Sequence, residues 1–343
     1  MSLNSTSGKV YTNIWYEASA PSNIALIKYM GKTDTAGNKP TNSSLSYTLN
    51  NLRTFVRIKQ NGFLTEDRWS PYVRDDLRPI ELSEKGRQKF LDFFTKLKVE
   101  FKLEGCFEIE SANNFPSDCG LASSASSFAA LTLVAHQFSG SKYLPRELAR
   151  ISQKGSGSSC RSFFSPWSLW HEQGAEEIQF PLKDLKHLVI LCDENKKTVS
   201  SSQAHVRVLT SDLFKGRPER AQERLQKLIQ LLRAYNSQKI DLQNWKSMFE
   251  LCWNEFWDMH TLFHTSSPAF MYLNGEGFAA LASILETWHV DSDGPIVTMD
   301  AGSNIHLLFR PNQAEHYLKY IHMFNDKFNI WSDEGYLNRG SLK

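Results

Sequence analysis

The run Asn113-Asn114-Phe115-Pro116-Ser117-Asp118-Cys119-Gly120-Leu121-Ala122-Ser123-Ser124-Ala125 constrains this chain more than any other. Pro116 and Gly120 make a turn, and the small residues around them let backbone approach a ligand closely. An apolar helical pattern follows at once, through Phe128, Leu131 and Val134. The first free N–H groups of that helix, and the positive end of its dipole, therefore face back at the turn. Such an arrangement holds anions, above all phosphate. No Gly-Lys-Ser/Thr follows, so the run is not a P-loop, and it is not GxGxxG. Taken alone, the same residues also describe a tightly packed helix start, so the function has to be read from the rest of the chain.

A length of 343 residues suits one large or two modest domains with a real core. The 39 basic and 37 acidic residues leave a formal charge of +2, which argues against a dedicated nucleic-acid binder. Cys106, Cys119, Cys160, Cys192 and Cys252 are scattered without CxxC pairing, as expected for reduced cytoplasmic thiols rather than a disulfide frame or zinc site. No segment has the 18 or so apolar residues that span a bilayer, and the N-terminus lacks the pattern of a secretion signal. Residues 1–14 are expected to form a disordered leader, and the protein is expected in the cytoplasm, with neither membrane nor nucleic acid as partner.

Strands are expected near Leu45–Leu49, Thr54–Lys59, Phe107–Glu110 and His187–Cys192. Helical periodicity marks Ser83–Leu97, Ala122–Phe138, Leu144–Gln153, Val199–Phe214, Pro218–Tyr235, Leu242–Phe263 and Gly277–Trp288. Two short apolar runs, Ile296–Met299 and Ile305–Phe309, flank Asp300-Ala301-Gly302-Ser303-Asn304, and a last helix spans about Gln313–Phe324. Early strands, then helices, then late strands predict an α+β chain of two lobes, 15–194 and 195–343.

Four segments suit an anionic ligand: Ala20-Pro21-Ser22-Asn23-Ile24-Ala25-Leu26-Ile27-Lys28-Tyr29-Met30-Gly31-Lys32, the loop described above, Gly155-Ser156-Gly157-Ser158-Ser159-Cys160-Arg161-Ser162, and Met299-Asp300-Ala301-Gly302-Ser303-Asn304. With Pro40-Thr41-Asn42-Ser43-Ser44-Leu45-Ser46, they resemble the GHMP small-molecule kinase superfamily and, within it, the mevalonate diphosphate decarboxylases. The resemblance runs from about Ala20 to about Leu308, in the family's order. It implies an N-terminal lobe of mixed sheet and helices like the second domain of ribosomal protein S5, a ferredoxin-like C-terminal lobe, and substrate in the cleft between them.

It also implies consumption of ATP, with Mg²⁺, and of mevalonate 5-diphosphate, yielding isopentenyl diphosphate, CO2, ADP and phosphate. The residues suit that chemistry. Phosphorylating a tertiary alcohol turns it into a leaving group, and positive charge building at C3 then lets the neighbouring carboxylate depart as CO2. By the resemblance, Asp300 orients or deprotonates the 3-hydroxyl, Lys28 sits near the reacting phosphoryl group and lowers the pKa of Asp300, and Arg161 grips the C1 carboxylate. A lysine after the apolar run 24–27 is costly unless paired, which independently favours function for Lys28. Tyr29, Lys32, Ser156 and Ser158 match the group that holds the diphosphate. Ser117, Gly120, Ser123 and Ser124 belong to the nucleotide loop, and Ser124 is also the candidate for Mg²⁺. Lys196, Ser200 and Ser201 match a segment bordering substrate and nucleotide, while His260 resembles a family histidine for which no role is read.

Three departures stand out. Met30 replaces the usual tryptophan, Asp118-Cys119 replaces small residues, and Ser165-Pro166 stands where a Gly-Gly pair precedes a strand. The first leaves open mevalonate 5-phosphate as substrate, or 3-phosphorylation without decarboxylation. A non-catalytic relative acting as a ligand sensor is the reading from another class. A homodimer is expected by analogy alone.

Overall fold

The computed structural model describes residues 14–34, 37–115, 123–193 and 197–342. Ser117, Gly120, Asp118, Cys119 and Lys196 lie outside the described residues, as do positions 1–13 of the expected leader.

The first sheet is built on a 17-residue strand, Ser44–Gln60, with Tyr16–Ile27 antiparallel to it along its length. Sequence reading predicts two short strands here, Leu45–Leu49 and Thr54–Lys59, separated by a stretch that includes Asn50 and Asn51. Both are exposed, but the chain bulges instead of turning, and the register jumps from Pro21 opposite Arg53 to Ser22 opposite Leu49. Phe107–Asn113 pairs with the second half of the long strand and Trp167–His171 with the first, and Gly174–Glu177 lies beyond Trp167–His171. Helices Glu84–Phe101, Ser123–Ser139 and Pro145–Gln153 pack on this sheet. Phe90, Phe94 and Leu97 of the first and Phe128, Leu131 and Val134 of the second meet Val56, Ile58, Phe107 and Ile109. Ser83 caps the first of these helices by accepting the Gly86 N–H, so the chain enters it where the sequence places the start.

The second sheet is antiparallel throughout, in the order Ile296–Thr298, Ile305–Phe309, Lys186–Leu191, Asn329–Ser332, Gly335–Leu337. Helices Arg217–Ala234, Leu242–His264, Gly275–Asp291 and Ala314–Asn325 belong to this lobe. Because Lys186–Leu191 is the central strand of this sheet, we place the lobe division in the connection 178–185. Composition alone suggests 194/195. The single helix expected over Val199–Phe214 is a short helix, Ser201–Arg207, followed by two 3₁₀ turns. The break has a local cause, since the Ser211 hydroxyl accepts the Leu213 N–H and starts a new turn.

One apolar cluster crosses the lobes, from Ile24, Leu26, Leu45 and Trp167 through Leu188 and Ile190 to Phe256, Ile284 and Leu307. The architecture is the two-lobed α+β arrangement expected from the sequence. Among the described residues no helix is long and apolar enough to cross a membrane.

Candidate active site

A cavity of about 390 Å³ opens where the strand Tyr16–Ile27 ends, the Ser123–Ser139 helix begins, and the turns at 156–161 and 299–304 converge. Lys28, Tyr29, Lys32, Ser123, Ser124, Ser156, Ser158, Arg161 and Asp300 all line it, so the structure gathers every described candidate into one place. Ser200 and Ser201 line it too.

Lys28 follows a stretch, Ile24–Ile27, that is almost wholly buried. Its Nζ donates to Asp300 Oδ1 at 2.7 Å, joining a residue of the first lobe to one of the second. Burial pushes the ammonium below its ordinary pKa, against the pull of Asp300. For Asp300 burial is the largest single influence and acts upward, but Lys28, His306 and Arg161 together outweigh it and hold the carboxyl below the usual carboxylate range. Asp300 is therefore an anion at neutral pH, and 28% of its side-chain surface stays open.

The backbone on both sides of this ion pair is pinned by a single helix, Leu242–His264. Glu255, fully buried, accepts the Lys28 N–H at 2.9 Å. The Lys28 carbonyl accepts from Asn42 Nδ2 at 2.9 Å and from Arg217 Nη2 at 3.3 Å. Five residues further on, His260 Nε2 lies 3.0 Å from the Asp300 carbonyl. A carbonyl only accepts, so Nε2 carries the proton. Burial drives the His260 pKa down to about 3, which keeps the ring neutral. Gly302 N–H donates to the same carbonyl at 2.8 Å, and Lys197 Nζ to that of Ala301 at 2.6 Å.

Arg161 is 4% exposed, which rules out the ordinary surface arginine that the sequence alone would allow. Its Nε donates to Asn23 Oδ1 and its Nη1 to Ser44 Oγ, both at 3.0 Å. The guanidinium also lies 5.7 Å from the ring centroids of Tyr29 and Trp170. A fork held along one edge leaves the remaining nitrogen to meet a planar anion.

Tyr29 packs edge-on against Trp170 at 4.6 Å. A Cβ on Gly157 would come within 2.6 Å of the Tyr29 hydroxyl, which gives that glycine a steric reason. Gly31 has φ +90, and a Cβ there would also meet the Phe214 ring at 2.7 Å. Lys32 Nζ donates to Asn38 Oδ1 at 2.7 Å, and burial, helped by nearby Lys89, brings its pKa down to about 8. Ser156 and Ser158 face each other at 3.3 Å between hydroxyls. Ser123 Oγ accepts from Asn113 Nδ2 at 3.2 Å. Asn23, Ser44, Lys89, His205 and Glu255 are the contributors that sequence reasoning does not single out. Lys89 reads as one more charge on a solvated helix face, and Glu255 has no local signal at all.

Among the described residues no three His, Cys, Asp or Glu side chains gather as a metal cluster. The oxygens on offer are hydroxyls at the helix start, Ser123 and Ser124, facing the same cavity as Asp300. Such sparse oxygen donors suit Mg²⁺, which is ordinarily held by few protein groups together with substrate phosphates and water.

Residues 20–179 match the family described as the diphosphomevalonate decarboxylase-like N-terminal domain, and residues 187–337 the mevalonate 5-diphosphate decarboxylase C-terminal domain. A crystal structure of a mevalonate diphosphate decarboxylase from Legionella pneumophila is 40% identical, with a TM-score of 0.84 over 92% of this chain and 100% of that one. MDDEF in complex with MVAPP, AMPPCP and magnesium is 27% identical, with a TM-score of 0.80 over 92% and 94% of the two chains. The diphosphomevalonate decarboxylase of Candida albicans is 30% identical over 84% of this chain and 83% of its own.

Proposed function

The chain belongs to the mevalonate diphosphate decarboxylase family, and from that membership we propose that it uses ATP to convert mevalonate 5-diphosphate into isopentenyl diphosphate, CO2, ADP and phosphate. The observation that carries the reading is the 2.7 Å contact of Lys28 with Asp300 in one cavity with a buried, braced Arg161. Asp300 is the one carboxylate lining that cavity among the described residues, and its ionised state suits a group that orients and accepts the proton of the 3-hydroxyl. Lys28 beside it stabilises the charge carried by the transferring phosphoryl group. Once the 3-oxygen carries phosphate, its C–O bond breaks with the electron pair leaving on phosphate. The C1–C2 bond then breaks, its electrons form the C2=C3 double bond, and C1 departs as CO2. Arg161 holds the C1 carboxylate in register for that step.

Lys32, Tyr29, Ser156 and Ser158 hold the diphosphate, and the start of the Ser123–Ser139 helix holds the phosphates of ATP. Ser124 is the residue for Mg²⁺, which when bound neutralises phosphate charge during transfer.

The test incubates the protein with ATP, Mg²⁺ and carboxyl-labelled mevalonate 5-diphosphate or 5-phosphate and counts ADP and CO2 together. Equal amounts from the diphosphate are expected, and none from Asp300→Asn, which should still bind ATP. ADP without CO2, or turnover of the monophosphate alone, would replace the reading by a 3-kinase or a monophosphate decarboxylase. A fully active Asp300→Asn protein would remove Asp300 from its assigned role.

A further inference from the structure

His205 sits on the short helix Ser201–Arg207, lines the cavity and is 7% exposed. Its ring stacks on Tyr29, with centroids 4.7 Å apart and planes 24° from parallel. Its Nδ1 accepts the Gly31 N–H at 3.1 Å. A ring nitrogen that accepts an N–H is deprotonated, so in the neutral imidazole the proton is on Nε2. That Nε2 has no hydrogen-bond partner among the described residues, and it is not sealed away from the cavity as the orphaned atoms of the core are. An N–H donor fixed by stacking on one face and by a backbone contact at its far nitrogen needs an acceptor. Lys32, Lys89 and Arg161 line the same cavity, and its one carboxylate among the described residues, Asp300, is already engaged by Lys28, so the acceptor this donor is placed to meet is an anion.

We propose that His205 is a substrate-binding residue whose Nε2–H donates to a phosphate oxygen of the substrate diphosphate, beside Lys32. The ligand's identity rests on the function proposed above; the anion contact rests on the geometry alone. The role is that of a neutral donor. Burial together with Lys32 and Arg161 lowers the imidazole pKa to about 3, so the ring has no call on the 3-hydroxyl proton at neutral pH, having no vacant basic nitrogen to receive it. The same contact explains why Tyr29 and His205 stack, since each ring fixes the other at the wall where the diphosphate rests.

The two ring nitrogens can be separated by substitution. Asparagine places an acceptor near Nδ1 and keeps the Gly31 contact, whereas glutamine places its amide N–H₂ near Nε2. Binding of inorganic pyrophosphate and of mevalonate 5-diphosphate would be measured calorimetrically for the unsubstituted protein, His205→Asn and His205→Gln. Loss of a hydrogen bond to a charged group predicts about 10- to 100-fold weaker binding in His205→Asn, with His205→Gln losing less. Equal binding by all three, or a larger loss in His205→Gln, would overturn the proposal. In the unsubstituted protein with ¹⁵N-labelled histidine, saturation with pyrophosphate should shift the Nε2–H signal of His205. An unmoved signal overturns the proposal even where both variants fold poorly. Because pyrophosphate needs no turnover, weakened binding without CO2 release would leave this inference standing and remove the decarboxylase reading. CO2 release with unweakened binding in His205→Asn would do the reverse.

Discussion

Replacing Glu255 by glutamine conserves volume and removes one charge, so its effect can be worked from the contacts. Glu255 Oε1 accepts from the Lys28 N–H at 2.9 Å and from Arg217 Nη2 at 2.5 Å, and Oε2 accepts from Arg224 Nη1 at 2.9 Å. Glutamine keeps the oxygen shared by Lys28 and Arg217, turns its N–H₂ group toward Arg224 Nη1, where two donors then meet, and removes the negative charge opposite Arg217. Arg217 is fully buried, and its other ionic neighbour, Asp258, is 3.8 Å away. Stripping one partner from a buried ion pair costs about 3–5 kcal/mol, and we place this case at about 3 because Asp258 still faces both arginines. At roughly 2 °C per kcal/mol for a chain of this size, the melting temperature should fall by about 6 °C. Differential scanning calorimetry would read the shift, with CO2 release measured well below both transitions. Glutamine should retain more turnover than Glu255→Leu, which leaves the Lys28 N–H without its acceptor and releases the strand end that aims the ammonium. A melting temperature within a degree of the parent would refute the claim that this carboxylate neutralises the buried arginines. Equal turnover in the glutamine and leucine variants would refute its hold on Lys28.

Lys32 is protonated below about pH 8 and neutral above it, so kcat/KM should fall as pH rises through about 8. In Lys32→Met that limb should vanish from a lower plateau, and an unchanged limb would assign it to another group. Arg161→Lys keeps a charge but not the contacts to Asn23 and Ser44, so CO2 released per ADP formed should fall below one; an unchanged ratio and rate would show that the fork is not needed.

The segments carrying Lys28, Arg161 and Asp300 were legible because each is a compact run of turn-forming and polar residues in a recognisable order. Their supports were not, because the support comes from far along the chain. Glu255 meets Lys28 across 227 positions with no local pattern of its own, and Asn23 meets Arg161 across 138, inside a recognised segment that does not reveal which partner it serves. His205 and Lys89 were hidden by the helices they ride on, where a histidine or lysine looks like surface. The strand Tyr16–Ile27 escaped for a different reason. Ala18, Ala20 and Ser22 dilute its alternation, and its last four residues are buried together, so no period of two is visible. The pair Asn329–Ser332 and Gly335–Leu337 is too short to signal itself, and packing on Lys186–Leu191 makes it a sheet.

The apolar cluster that runs from Ile24 and Leu45 to Phe256 and Leu307 makes the two lobes a description of shape and not of stability. Neither half encloses its own side of that cluster, so a cut in 178–185 would leave both pieces with wet apolar faces and nothing to close them. The halves are therefore not interchangeable parts: a half taken from a 40% identical relative would bring a mismatched mould to the same seam. Substitutions along the seam have to be accommodated from both sides, which ties the drift of one half of this sequence to the drift of the other.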